Sequence, residues 1–157
     1  MSRWPEFGIG VWRDLERNPG RVAVLVGDAK ESVAAQLAEL RGTTPLHIGR
    51  LLTSFPTQPT EAMTKEALIG HPVLGGMEIL FDPVFSFDVP RLLTSLATAR
   101  PPLAVVWPGK ATTSRLLYPA DLSSGGNMSY TWPGAVVLRT RSTTFADDAP
   151  FTVERFS

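Results

Sequence analysis

Arg21-Val22-Ala23-Val24-Leu25-Val26-Gly27-Asp28-Ala29-Lys30 places five apolar residues in a row and then breaks to a glycine, a carboxylate and an amine. A run without polar alternation suits a strand covered on both faces, the normal condition inside a parallel sheet. After Lys30 the period changes. Val33, Ala34, Leu37, Ala38 and Leu40 recur at helical spacing, and Gly42 is placed to end that helix. Strand, tight loop and helix therefore follow in order, the opening unit of an α/β fold.

The same grammar extends on both sides. Upstream, Gly10 to Arg17 carries Val11, Trp12 and Leu15 on one helical face and stops at Asn18-Pro19-Gly20. Downstream, Pro45 to Ile48 reads as a short strand, Leu51 to Phe55 as a helical turn, Pro56 to Thr60 as a loop and Glu61 to Ile69 as a helix. His71 to Gly76 has room only for a very short strand. Asp88-Val89-Pro90 is a helix start, with a capping carboxylate and a proline in the first turn. Leu92, Leu93 and Leu96 supply its buried stripe to about Ala99. Leu103-Ala-Val-Val-Trp107 is a second unbroken apolar strand, and Ala135 to Leu138 and Phe151 to Val153 read as strands of a less regular tail. The expectation is one three-layer α/β domain over residues 1–157 with a mostly parallel sheet.

Composition narrows the function. The 157 residues are 43% hydrophobic and 19% charged, with 15 Lys+Arg against 15 Asp+Glu and no cysteine. Disulfides and thiolate metal sites are excluded, and a neutral total argues against long-range attraction to nucleic acid or anionic lipid. No window approaches a membrane span and the N-terminus lacks a signal-peptide layout, so a cytoplasmic protein is expected.

The loop after the first strand is where a parallel α/β domain cradles phosphate. A P-loop reads G-x-x-x-x-G-K-[ST], its backbone amides wrapping the phosphates, its lysine neutralising them and its hydroxyl holding magnesium. Counted from Gly27, the second glycine position is Ser32, the lysine position Val33 and the hydroxyl position Ala34. Lys30 is the only nearby substitute cation, with simple solvation as its alternative. The acid of such a site belongs at the end of a later strand, where Pro72 to Glu78 offers Gly75 in place of the aspartate. Glu78 survives, either as a base or as an ordinary glutamate starting a helix.

Other constellations are weaker. His47 and His71 stand 24 apart without metal-site spacing and read as loop or surface histidines. Gly8-Ile9-Gly10 lacks the third glycine of a dinucleotide turn, no G-x-S-x-G elbow exists, and Asp147-Asp148 reads as a solvated turn. Trp107-Pro-Gly and Trp132-Pro-Gly share three letters but not their flanks. Trp107 reads either as packing or as an interface anchor. Arg139 and Arg141 alternate on one strand face, where they contact a partner or DNA phosphates, or simply line a solvated edge.

Gly76-Met-Glu-Ile-Leu-Phe-Asp-Pro83, Asp88-Val-Pro-Arg-Leu-Leu93 and Val105-Val-Trp-Pro-Gly109, with Leu117-Tyr118 after them, resemble the BrxF family, small P-loop proteins of type 3 BREX phage-defence systems. The likeness is specific over 76–118, extends to Arg21–Gly27 and the helix after it, and leaves 1–18 and 121–157 outside. It implies an AAA-like P-loop fold and a place in anti-phage defence beside a DNA methyltransferase, a phosphatase-like protein and helicases. Gly27 matches the first P-loop glycine and Glu78 the acidic-motif glutamate, whereas Ser32, Val33, Ala34 and Gly75 depart from what ATP and magnesium need. The resemblance thus implies a pseudo-ATPase without cofactor. Its partners are other proteins of a defence complex or further copies of itself, with DNA engaged only indirectly and no membrane. Two alternatives stand beside it. One is a working ATP-binding protein using Lys30 and Glu78, or a site completed by a neighbouring copy; the other is a DNA-binding accessory module using Arg139 and Arg141.

Overall fold

The structure, a computed structural model, describes residues 6–82, 88–111, 116–119, 127–130, 132, 135–142 and 151–156. Helix α1 (Glu6–Arg17) leads into β1 (Val22–Gly27), α2 (Lys30–Glu39), β2 (Leu46–His47), α3 (Ile48–Thr53), α4 (Glu61–Leu68) and β3 (Val73–Gly75). A 3-10 helix (Met77–Phe81), α5 (Val89–Ala99) and β4 (Ala104–Val106) follow. The chain then adds β5 (Lys110–Ala111), β6 (Leu116–Pro119), β7 (Asn127–Tyr130), β8 (Ala135–Ser142) and β9 (Phe151–Phe156).

The main sheet has six strands in the order β2-β3-β4-β1-β8-β9. Its first five are mutually parallel, and β9 closes the edge antiparallel to β8. Strand β1 is central because every residue from Val22 to Leu25 is buried to 0% exposure, as an uninterrupted apolar run requires. One face of the sheet packs Val22, Val24, Val105 and Leu74 against α3, α4, α5 and the 3-10 helix. The other packs Ala23, Leu25, Ala104 and Leu138 against Trp12 and Leu15 of α1 and Val33 and Leu37 of α2. The α/β architecture with helices on both faces is thus what the apolar runs dictate. Among the described residues no helix is long and apolar enough to cross a membrane.

Local signals set most of the boundaries. Asp88 caps α5 by accepting from the Arg91 amide at 3.2 Å, and Thr60 caps α4 by accepting from the Met63 amide at 3.1 Å. Three readings need correction. Helix α1 starts at Glu6 rather than Gly10, because Phe7 and Gly8 extend its inward face. Leu40, assigned above to the buried stripe, caps the C-terminus of α2 at 36% exposure, turned away from the core that Leu37 and Ala38 enter. A second sheet, β5-β6-β7, is antiparallel and has no counterpart in the sequence reading, its strands being two to four residues long. Asp147-Asp148 lies outside the described residues.

Candidate functional site

Parallel strands carry their loops on one edge, so Gly27, Trp107, Gly75 and Ser142, which end or follow β1, β4, β3 and β8, all sit at the carboxyl edge of the sheet. The change of direction falls beside β1. Its outgoing chain crosses to β2 at the far end of the sheet, whereas the chain leaving β4 returns to β8 on the opposite side of β1. In open α/β sheets such a point is where ligands bind. A groove of about 640 Å³ lies there, walled by Gly27, Asp28 and Lys30 from the β1 end, by Gly109, and by Arg139, Thr140, Arg141 and Ser142 of β8.

The connection from β1 to α2 consists of Asp28 and Ala29 alone. The first helical bond already runs from the Val33 amide to the Ala29 carbonyl at 3.0 Å. A phosphate-wrapping loop needs the four residues between its two glycines to be non-helical; here that stretch is a tight turn plus the start of α2. Ser32 consequently stands exposed in the first turn of α2, outside the groove, while Val33 and Ala34 are core residues at 0% and 1% exposure. Glu78 follows β3, two strands removed from β1, and is exposed in the first turn of the 3-10 helix. That is the ordinary helix-start position. Of the proposed nucleotide remnant, Gly27 and Lys30 meet; Ser32 and Glu78 do not join them.

Gly27 and Lys30 are both bound into the scaffold. Gly27 has φ +103°, and a Cβ built on it would run into the Thr140 carbonyl oxygen, so the close approach of β8 backbone requires a glycine here. The Thr140 hydroxyl donates to the Val26 carbonyl at 2.8 Å, and the Ser142 amide donates to Asp28 Oδ1 at 2.8 Å. Lys30 Nζ donates to the Trp107 carbonyl at 2.7 Å, tying α2 to the end of β4. Asp28 adds a carboxylate where an incoming phosphate needs positive charge, and Glu31 already supplies an acid to the first turn of α2. These residues do not fit a magnesium-bound triphosphate.

Trp107 is a correction to the reading as an interface anchor. Its side chain is at 0% exposure, edge-on to Phe81 with ring centroids 5.3 Å apart and planes at 86°. The packing alternative is the one observed. Trp132, which heads the other Trp-Pro-Gly, is also structural, its indole N–H donating to the Thr94 hydroxyl of α5 at 3.0 Å. Arg139 and Arg141 do share the groove with Lys30, a juxtaposition across more than a hundred residues that sequence spacing could not reveal. His47 caps α3, its Nδ1 accepting from the Arg50 amide at 3.1 Å, and His71 lies before β3 at the opposite edge of the sheet. Gly8 and Gly10 lie inside α1, where no dinucleotide turn exists.

Replacing Lys30 by methionine is expected to lower stability by about 1 kcal/mol, the cost of leaving the buried Trp107 carbonyl without its charged donor. Urea unfolding measures it. A loss of ATP affinity with unchanged stability would instead mark Lys30 as a ligand. Comparison of the chain with protein-family models, curated proteins and solved structures gives no match.

Proposed function

We propose that this chain is a non-catalytic subunit with an AAA-like core, kept for the surfaces it presents to other proteins, and that the setting is the phage-defence complex its BrxF-like segments imply. One observation carries the reading. The turn after β1 is two residues long and its glycine is pressed against β8 backbone, while the scaffold around it keeps fully buried strands. Counting the parallel strands in chain order, the arrangement is 2-3-4-1-5, with the first strand between the fourth and the fifth, which supports the AAA-like core implied by the resemblance. Affinity purification of the tagged chain from its native cells, with and without Lys30→Ala, tests the role. Stoichiometric companions retained in both preparations are expected; companions released by nucleotide or lost with Lys30→Ala would reverse the reading in favour of a working ATPase.

A second reading is favoured by the groove itself, where Lys30, Arg139 and Arg141 line one wall system. It makes the groove a contact for phosphates, including those of DNA. Retention on duplex DNA that falls steeply with salt and weakens with Arg141→Ala would support it.

A further inference from the structure

The described residues leave three large hydrophobic side chains exposed, Ile9 at 43%, Leu40 at 36% and Met63 at 42%. Two of the three converge. Ile9 of α1 and Leu40 at the end of α2 line one groove of about 410 Å³, together with Trp12, Arg13, Glu16 and Arg17 of α1 and Arg41. Positions 9, 12, 13 and 16 form a second helical stripe, beside the inward stripe of Gly8, Trp12 and Leu15 that packs on the sheet. A helix needs one stripe to join its own core. The second shares Trp12 with that core and leaves Ile9 and Arg13 exposed.

The walls of this groove are fixed. Trp12 is 4% exposed, and its indole N–H donates to the Leu37 carbonyl of α2 at 2.9 Å, so α1 and the end of α2 are locked together. The Arg41 guanidinium lies 5.4 Å from the Trp12 ring centroid and pairs with Glu16 at 3.0 Å. A surface held this way loses little conformational freedom on binding.

Charge identifies the occupant. Three guanidinium groups, Arg13, Arg17 and Arg41, face one carboxylate, Glu16, which Arg41 already engages. The excess is local, since the whole chain balances 15 basic against 15 acidic residues. A second copy of the chain fits poorly, because a two-fold contact would set these arginines against themselves. A nucleic-acid backbone would leave the exposed Ile9 and Leu40 side chains without a partner. Two exposed apolar side chains set among an excess of guanidinium groups suit a helix with apolar residues at i, i+3 or i+4 and i+7, flanked by acids.

We propose that the α1–α2 groove is the docking site for an acidic amphipathic helix of a partner protein. This rests on the reading of the chain as a binding subunit and names the surface it uses. The probe is a fluorescent synthetic helix of roughly 20 residues with leucines on one face and glutamates beside them, titrated into the full chain; a twin with lysines for the glutamates is the control. The glutamate helix is expected to bind saturably, more weakly as salt rises, and at least about tenfold more tightly than the lysine twin. Ile9→Glu and Leu40→Glu should each weaken it about tenfold, and Arg13→Glu with Arg17→Glu should reverse the preference between the two helices. All four positions are exposed, and unchanged melting temperatures check that the variants fold.

The proposal is overturned if the two helices bind equally, if neither binds, or if the four variants leave binding unchanged. Sedimentation showing a dimer that Ile9→Glu dissolves would assign the groove to a second copy, and displacement of the helix by duplex DNA would assign it to nucleic acid; either also overturns it. Failure here with no ATP binding leaves the reading of the β1 turn intact, whereas ATP binding with a functioning groove would overturn only the reading of the β1 turn.

Discussion

Gly27→Ala is expected to cost about 4 kcal/mol or more and to leave little folded protein at room temperature. At φ +103° an L side chain is strained by itself, at roughly 1–3 kcal/mol. The larger cost is steric. The new Cβ would run into the Thr140 carbonyl oxygen and lie 3.0 Å from the carbonyl carbon and nitrogen, and these are backbone atoms with no rotamer to change. Relief requires β1 and β8 to part at Gly27–Thr140, the last of the six residue pairs in their register, where the β1 end, Thr140 and Asp28 are tied together. Chemical denaturation measures the effect, and it separates two explanations of the same glycine. If Gly27 serves the approach of a phosphate, the alanine variant folds with a loss below about 1 kcal/mol and only a ligand is lost. If Gly27 serves the close approach of β8, as the geometry has it, the fold itself fails.

Trp107→Ala is expected to cost about 3–5 kcal/mol, the range for removing a fully buried tryptophan and leaving a cavity. In a chain of 157 residues that corresponds to a melting temperature lower by about 10 °C. The side chain closes the core beneath the carboxyl edge, touches Phe81 edge-on, and belongs to the residue whose amide donates to the Leu25 carbonyl at 2.9 Å and whose carbonyl receives Lys30. Trp107→Phe keeps part of the packing and should lose less. An anchor for a partner would behave in the opposite way, with the alanine variant stable alone and deficient in its complex. Calorimetric melting of the isolated variants distinguishes the two outcomes.

The apolar runs at 22–26 and 103–107 were legible because a strand buried on both faces has no polar position to break it. Asp88 with Pro90 marked α5 to the residue, since cap and proline act locally. The small antiparallel sheet was not legible, because strands of two to four residues carry no measurable period. At the candidate site the motif count from Gly27 found the absent residues but missed the reason they are absent. The loop frame does not exist, because α2 has begun by Lys30. The signal lies in the sequence: Val33 and Ala34 share a stripe with Leu37 and Ala38, and the change of period after Lys30 already marks them as helical. Trp107 and Arg139 differ only in depth, one enclosed by helices on its face of the sheet and the other near an edge, and depth depends on strand order rather than on neighbours in sequence. The α1–α2 groove escaped for a related reason. Leu40 continues the spacing of a buried stripe that ends two residues earlier, and only the tertiary placement of Ile9 near it turns two exposed residues into a surface.

Isothermal titration of the full chain with ATP and magnesium addresses the β1 turn most directly. A two-residue connection with its glycine against Thr140 and its lysine held by Trp107 predicts no saturable heat up to millimolar nucleotide, in the parent chain and in Lys30→Met alike. Micromolar binding of the parent, abolished by Lys30→Met, would contradict it.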